Sequence, residues 1–410
     1  MRFEYFIFKK ILNNSSSPIS SFITKISVIA TALSLAVMIA STSLIDGFQF
    51  EVQSKIFDFW AHYHIKPYTL TQSYSENPMK RDEELIAEIK KEKEVKYVQT
   101  VVYKGALIKT DESVEGVVLR GVGEDFYTPS INKFITQGAM IQLSSKEINA
   151  PLKNEIMISE ITAKRLNLKL NQDIIISFMD REIRLRKFTI KGIYKTGIET
   201  FDKQFAIVDM KILQKLNKWG FDSISSIEIY IKNPLMMEIV GQRLKNMVNN
   251  PSVEILSIKE IRPDIFDWLN LQRTNELIIL VMMFIVAVIN MSTSLLILIL
   301  ERTNMIGILK ALGVRNDMLG RIFLLQSFYI TLKGIAWGLF IGIGLCWLQD
   351  KYHLIKLEEE SYYLAYAPIA FNWIKILSIT IGTLVLSTII MVIPTYLVTK
   401  ISPVKVIEFK

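Results

Sequence analysis

Three stretches of this chain are long, apolar and free of charge, and nothing else constrains its fold as much. Ile26–Ile45 (ISVIATALSLAVMIASTSLI), Leu277–Leu300 (LIILVMMFIVAVINMSTSLLILIL) and Ile376–Thr399 (ILSITIGTLVLSTIIMVIPTYLVT) contain no Asp, Glu, Lys or Arg. Each reaches the roughly 20 residues a helix needs to cross a bilayer, where every backbone polar group must be satisfied internally. A fourth stretch, Ile322–Gln349, is long enough and is interrupted only by Lys333. That lysine reads as a structural or interface residue that snorkels or faces a neighbouring helix, against the alternative of a buried functional group. Gly334, Gly338 and Gly342 recur every four residues and put a smooth stripe on one face of that helix. The first stretch is too long for a secretory signal core, and Ala40-Ser41-Thr42 is a poor cleavage site, so it reads as a retained helix.

Four spans leave one large loop, Asp46–Gln272, and short loops elsewhere. The chain has 410 residues and a formal net charge of +8. The large loop holds 32 Lys and Arg against 31 Asp and Glu. The excess lies in residues 1–25, 301–321 and 399–410, which carry 11 basic against 4 acidic side chains. An even number of spans puts those three segments on one side, and short basic segments favour the cytoplasm. Both termini are therefore expected in the cytoplasm of a bacterial cell, with the large loop outside and the acidic 350–371 loop on the same outer side. A nucleic-acid partner loses its basis, because no basic face with interleaved aromatics remains.

The expected organisation is a cytoplasmic segment 1–25, spans at 26–45, 273–300, 320–349 and 372–399, an extracytoplasmic domain at 46–272, a cytoplasmic loop at 301–319, an outer loop at 350–371 and a cytoplasmic tail at 400–410. Within the large domain, two stretches share a β-α-β pattern. His62–Pro67, the helix Asp82–Lys91 and Val95–Val102 form one; Ser226–Lys232, the helix Pro234–Met247 and Val253–Ser257 form the other. This predicts an α+β sandwich of two halves with a strand-rich insert between them. Strands are expected at Val114–Leu119, Glu155–Ile158, Asp173–Phe178, Ile183–Tyr194 and Gln204–Val208, and short helices only at Glu160–Leu166 and Met210–Leu216.

Catalytic signatures are missing. The sequence has no G-x-x-x-x-G-K-[ST], H-E-x-x-H or G-x-S-x-G, so the chain binds no ATP through a P-loop and is expected to be no enzyme. Gly121-Val122-Gly123 reads as a turn. His62 and His64 stand at i, i+2, but three histidines and a lone Cys346 complete no metal set, so a structural role is expected and no metal. One cysteine also excludes an internal disulfide.

Apolar residues continue at helical spacing outside the first two spans. They either pack on the domain and on each other or form a vestibule at the outer leaflet for acyl chains, with Leu44, Phe48, Val52, Phe266 and Leu269 as the candidate lining. Between the second and third spans, Met305, Ile308, Leu309 and Leu312 make an apolar stripe on a short helix that Gly313 terminates. Such a helix either lies in the lipid headgroups, anchored by Arg302 and Lys310, or docks in a groove of a soluble partner.

The segment ERTNMIGILKALGVRNDM resembles the E-R-x-x-E-I-G-[IV]-L-[RK]-A-[LI]-G coupling signature of FtsX-like permeases, with Met305 where the family has an acidic residue. LIDGFQFEVQSKIFDFWAHYHIK is similar to the first-span region of the lipoprotein-releasing LolC/LolE branch, and Leu119–Gly138, Glu155–Asp173, Asp202–Met210 and the tail Ile401–Ile407 fit its layout. The resemblance implies an α+β membrane protein with four transmembrane helices and a Porter-like part at 60–103 and 205–260 around a Sabre-like insert at 104–204. It implies Glu301, Arg302, Met305, Ile308, Leu309, Lys310, Leu312 and Gly313 as the coupling site for a LolD-like cytoplasmic ATPase, which would carry the ATP and Mg. It further implies pairing with a second FtsX-like permease subunit, lipoprotein substrates drawn from the inner membrane with its lipid, and transfer to a LolA-like periplasmic chaperone. LolC-type members carry a chaperone-binding hook where this chain has the short polar turn Phe178–Ile183. Other cargo for the same architecture would be a cell-wall hydrolase under regulation or small amphiphiles for export; a membrane-anchored enzyme or sensor is the remaining class.

Overall fold

The computed structural model describes residues 2–13, 18–69, 77–110, 113–144, 152–179, 183–248 and 250–400. The tail Ile401–Ile407 and the centre of the Phe178–Ile183 turn lie outside the described residues. The chain divides into two compact units: residues 1–50, 268–356 and 366–410, and residues 51–267 with 357–365.

The first unit is helical. Its spans belong to the helices Pro18–Phe59, Pro263–Glu301, Asn316–Tyr352 and Trp373–Ile390, the last continued by Val392–Lys400. The first two helices run 42 and 39 residues, about twice the length a bilayer requires. The break at Met391 has a local cause: Pro394 has no N–H to donate back to the preceding turn. The glycine stripe of the third span meets the first span. A Cβ on Gly334 would come within 2.7 Å of Thr31, one on Gly338 within 2.9 Å of Ala32 and Leu35, and one on Gly342 within 3.1 Å of Ala36. Small residues let these two helices approach closely, which is where packing energy comes from when lipid already solvates apolar side chains. Lys333 is exposed, with its Nζ 4.5 Å from the Tyr329 ring centre. A further helix, Arg2–Asn13, occupies the segment before the first span; Glu4 is buried there with Arg321 3.4 Å away.

The second unit is α+β. Its strands are β1 (Tyr63–Pro67), β2 (Met79–Lys80), β3 (Val95–Lys109), β4 (Val114–Val122), β5 (Ile135–Gly138), β6 (Glu155–Ser159), β7 (Asp173–Met179), β8 (Ile183–Tyr194), β9 (Phe205–Asp209), β10 (Ser223–Ile224), β11 (Ser226–Ile231) and β12 (Val253–Ser257). The path β12-β1-β11-β3 is antiparallel and carries the helices Glu83–Lys91 and Met237–Met247 between its strands in sequence. Two β-α-β halves thus interleave in the ferredoxin-like order. β3 is shared with a second structure, because β7 pairs with both β3 and β8 and closes the ring β3-β4-β9-β6-β8-β7. Closure leaves those six strands without free edges, and Leu119, Ile176, Phe178, Phe188 and Ile207 are buried in it.

One expectation needs correction. Short helices also form at Thr128–Asn132, Glu199–Gln204 and Ile258–Ile261. The second of these is set by a polar knot that periodicity does not register: Asp202 accepts from the Thr196 N–H at 3.0 Å, the Gly197 N–H at 3.2 Å and Thr196 Oγ1 at 2.8 Å. Within the outer loop after the third span, residues 357–365 belong to the second unit, where Lys55 Nζ donates to the Tyr363 carbonyl at 2.9 Å and Lys195 pairs with Glu359.

Candidate functional site

The helix Thr303–Ala311 follows the second span after a one-residue break at Arg302. It ends in a Schellman arrangement: the Val314 N–H donates to the Leu309 carbonyl and the Gly313 N–H to the Lys310 carbonyl, each at 3.0 Å, with Gly313 at φ +86°. Ile306 and Gly307 are buried, and Met305, Leu309 and Val314 pack against a core that includes Ile322 and Phe323. Ile308 is 56% exposed and Leu312 76%. The stripe expected as a unit is therefore divided: Met305 and Leu309 anchor the helix, while Ile308 and Leu312 face outward. Glu301 and Gly313 are exposed; Arg302 and Lys310 are half-buried.

At the other end of the spans, Phe48 meets Trp268 edge to face at 5.3 Å between ring centres, and Gln49 Nε2 donates to the Leu269 carbonyl at 3.1 Å. Phe48 and Leu269 are buried, and Leu44 is half-buried. In the second unit, Val52 and Phe266 are buried too, Phe266 beside Phe57 at 6.2 Å. Of the five candidate lining residues, Leu44 alone keeps appreciable exposure.

A third constellation escaped the sequence reading. Glu228 in β11 stands in register with His64 of β1 and Gln99 of β3, while Arg120 of β4 stands opposite Tyr103 of β3. Arg120 is 1% exposed and Glu228 not at all, and they form an ion pair at 2.5 Å. Tyr103 Oη and Gln99 Nε2 each donate to Glu228 at 2.6 Å. Burial works to raise the Glu228 carboxyl, but the Arg120 charge, His64 and these donors hold it below the usual carboxylate range. Arg120 Nη1 donates to the carbonyl of Phe59 at 2.8 Å, and its guanidinium lies over the rings of Phe59, Trp60 and Phe126. The end of the first helix is thus fastened to the sheet by a buried cation. The signal for this was present: a glutamate and an arginine each interrupt an otherwise apolar strand, SIEIYI and VVLRGV. Charges in fully buried strands require partners.

The two histidines do not converge on a metal position. His62 stacks on Phe57 at 4.2 Å, and its Nδ1 accepts from the Ile231 N–H at 3.4 Å. His64 Nε2 lies 3.2 Å from the Ala61 carbonyl and its Nδ1 3.9 Å from Glu228. Burial pushes His62 down to about 3 and His64 to about 4, so both are neutral near pH 7. Among the described residues no three His, Cys, Asp or Glu side chains are placed to hold a metal ion.

The MacB-like periplasmic core domain family matches residues 24–247, more than half of the chain, and the FtsX-like permease C-terminal family matches residues 277–403. The chain belongs to the MacB-like periplasmic core domain family and ends in an FtsX-like permease match. This permease is 21% identical over 405 residues to the lipoprotein-releasing system transmembrane protein LolC of Xylella fastidiosa, covering 95% of this chain and 94% of that protein. It is 22% identical over 409 residues to LolC of Neisseria meningitidis, with 95% of each chain covered. LolE of Haemophilus influenzae is 21% identical over 414 residues, covering 96% and 95%. Among solved structures, the permease is similar to the extracellular domain of the noncanonic ABC-type transporter YknZ from Gram-positive bacteria (15% identity, TM-score 0.33, 47% of this chain and 98% of that one). It is also similar to the periplasmic region of MacB from Actinobacillus actinomycetemcomitans (13% identity, TM-score 0.34, 50% and 91%).

Proposed function

We propose that this permease is the transmembrane subunit of an ABC-type machine that extracts lipoproteins from the inner membrane, driven by a separate cytoplasmic ATPase that binds the ATP and Mg. The relatives above carry the name of a lipoprotein-releasing system, and this supports the cargo. The observation that carries the coupling half of the reading is the outward placement of Ile308 and Leu312 on a helix whose other side is locked by Ile306. Two large apolar side chains held at the surface by a rigid short helix fit the groove of a soluble partner. The three short basic segments support a topology with both termini in the cytoplasm and the MacB-like domain outside, and the proposed assembly includes a second FtsX-like subunit. Acyl chains enter beside Phe48 and Leu269, with Leu44 one turn along the first span, while Val52 and Phe266 are kept as candidate contacts within the second unit. Because Phe48 and Leu269 are buried, entry requires the first and second spans to part, and nucleotide state sets the populations of parted and closed forms.

A gentle detergent purification with mass spectrometry of all bound proteins and acylated ligands tests this. An ATPase together with triacylated proteins is the expected result. Cell-wall hydrolases or free amphiphiles in place of acylated proteins would overturn the cargo, and a preparation that never retains an ATPase would overturn the coupling.

A further inference from the structure

The ends of the spans remote from the Thr303–Ala311 helix carry a charged cluster that the reading above does not use. Lys375, in the first turn of the fourth span, pairs with Asp46 of the first span, and its Nζ lies 3.7 Å from Glu276 Oε1 of the second. Glu276 is buried and Asp46 half-buried. One ammonium thus serves two carboxylates that come from different helices.

The attachments around it are unequal. The first span is bound to the approach of the fourth by the Lys375–Asp46 pair and by the Ala370 N–H, which donates to the Ser43 carbonyl at 2.9 Å. Gly47 adds a backbone contact so close that a Cβ would stand 2.7 Å from the Pro368 carbonyl oxygen. The second span meets the first here through the Phe48–Trp268 rings, the Gln49–Leu269 hydrogen bond and the longer Lys375–Glu276 contact. Glu276 lies seven residues beyond Leu269, two turns along the same face of its helix. The cluster therefore closes the same seam into which acyl chains are proposed to insert.

We propose that Lys375 is a positioning residue that holds the seam between the first and second spans shut, and that the seam opens when Glu276 leaves the lysine while Asp46 retains it. This rests on the proposed function and names the side chains that regulate its site. The physical reason is charge. With the ammonium between them, the repulsion of a buried and a half-buried carboxylate is offset; without it they face each other where water is partly excluded and drive the helices apart.

Thiol crosslinking of the full-length chain in native membranes, in a Cys346→Ser background, tests this without any cargo. Phe48→Cys with Trp268→Cys reports the seam. Ser27→Cys with Ser294→Cys, whose side chains are hydrogen-bonded, reports the other end of the same two helices. Lys375→Met is expected to slow copper-phenanthroline crosslinking of the first pair by about tenfold and to leave the second unchanged. Lys375→Arg is expected to restore the first pair, and so is the triple variant Asp46→Asn, Glu276→Gln, Lys375→Met, which removes the repulsion with the cation. An unchanged first pair in Lys375→Met would overturn the proposal. So would loss of both pairs with no recovery in the triple variant, which would make Lys375 a general fold residue. Because the readout contains no lipoprotein, a negative result leaves the purification experiment to judge the cargo separately.

Discussion

Arg120 donates through Nη1 to the carbonyl oxygen of Phe59, the last residue of the helix that contains the first span. A helix end leaves carbonyls without intrahelical partners, and here a buried guanidinium supplies one of them. The same guanidinium neutralises Glu228, so the helix end and the sheet are joined through one side chain.

Removing that side chain leaves Glu228 buried without its counter-charge. Arg120→Met is expected to destabilise the second unit by about 3–5 kcal/mol, the range for breaking one side of a buried ion pair. Arg120→Met with Glu228→Leu should recover part of the loss, because no lone charge remains buried. Thermal unfolding of the purified full-length chain, followed by tryptophan fluorescence, measures both. A double variant no better than the single one would mean that the Phe59 contact, and not the charge, is what matters.

The glycine stripe gives a second prediction with an internal control. Gly338→Leu places a side chain where Ala32 and Leu35 already sit within 2.9 Å of the Cβ position, whereas nothing lies within 4 Å of a Cβ on Gly344. The first substitution should cost about 1–3 kcal/mol or more of helix packing, and Gly344→Ala close to nothing. Resistance to unfolding in a detergent series reads both.

What the residues disclosed follows from how far each signal reaches. The spans and the two β-α-β halves are written in local periodicity, as in Asp82–Lys91 and Ser226–Lys232, and they were legible. The ring was not, because pairing of β7 with β3 joins Leu107 to Ser177 across 70 residues and has no local signature. The Thr303–Ala311 helix was legible as an amphipathic segment, but its outward edge was not. Periodicity groups Met305, Ile308, Leu309 and Leu312 within one broad face, and only the packing of Met305 and Leu309 on the core separates them from Ile308 and Leu312. Ligand count gives His62 and His64 a structural reading, but their partners Phe57 and Glu228 come from other elements and have no local signature.

Acid sensitivity follows from those histidines. Their folded values, about 3 and about 4, lie below the ordinary value of 6.5, so the unfolded chain binds more protons between roughly pH 4 and pH 6.5. Stability is therefore fully present above pH 6.5 and falls as the pH drops toward 4. Glu228, held below its ordinary 4.5, adds to the loss at the acid end of that range. Replacing His64 by Gln removes one titrating group and should flatten the fall in melting temperature between pH 6.5 and 4.5. An unchanged slope in that variant would assign the acid sensitivity elsewhere.

The exposed edge of the Thr303–Ala311 helix yields a prediction in which fold and docking separate. Leu312→Asp changes a side chain that is 76% exposed at the helix end, so the protein should remain folded and inserted. It should nevertheless lose association with the proposed ATPase by tenfold or more, because a carboxylate would have to enter an apolar groove without a partner. Ile308→Asp should behave alike. Ile306→Asp is the contrast, since Ile306 is fully buried against Ile322 and Phe323, and a charge there should lower the yield of folded protein before docking is tested. Co-purification of the ATPase, scaled to the amount of folded permease, distinguishes the three. If Leu312→Asp and Ile308→Asp both retain the ATPase at the unsubstituted level, the outward edge is not a docking surface and the helix is left as an element of the membrane interface.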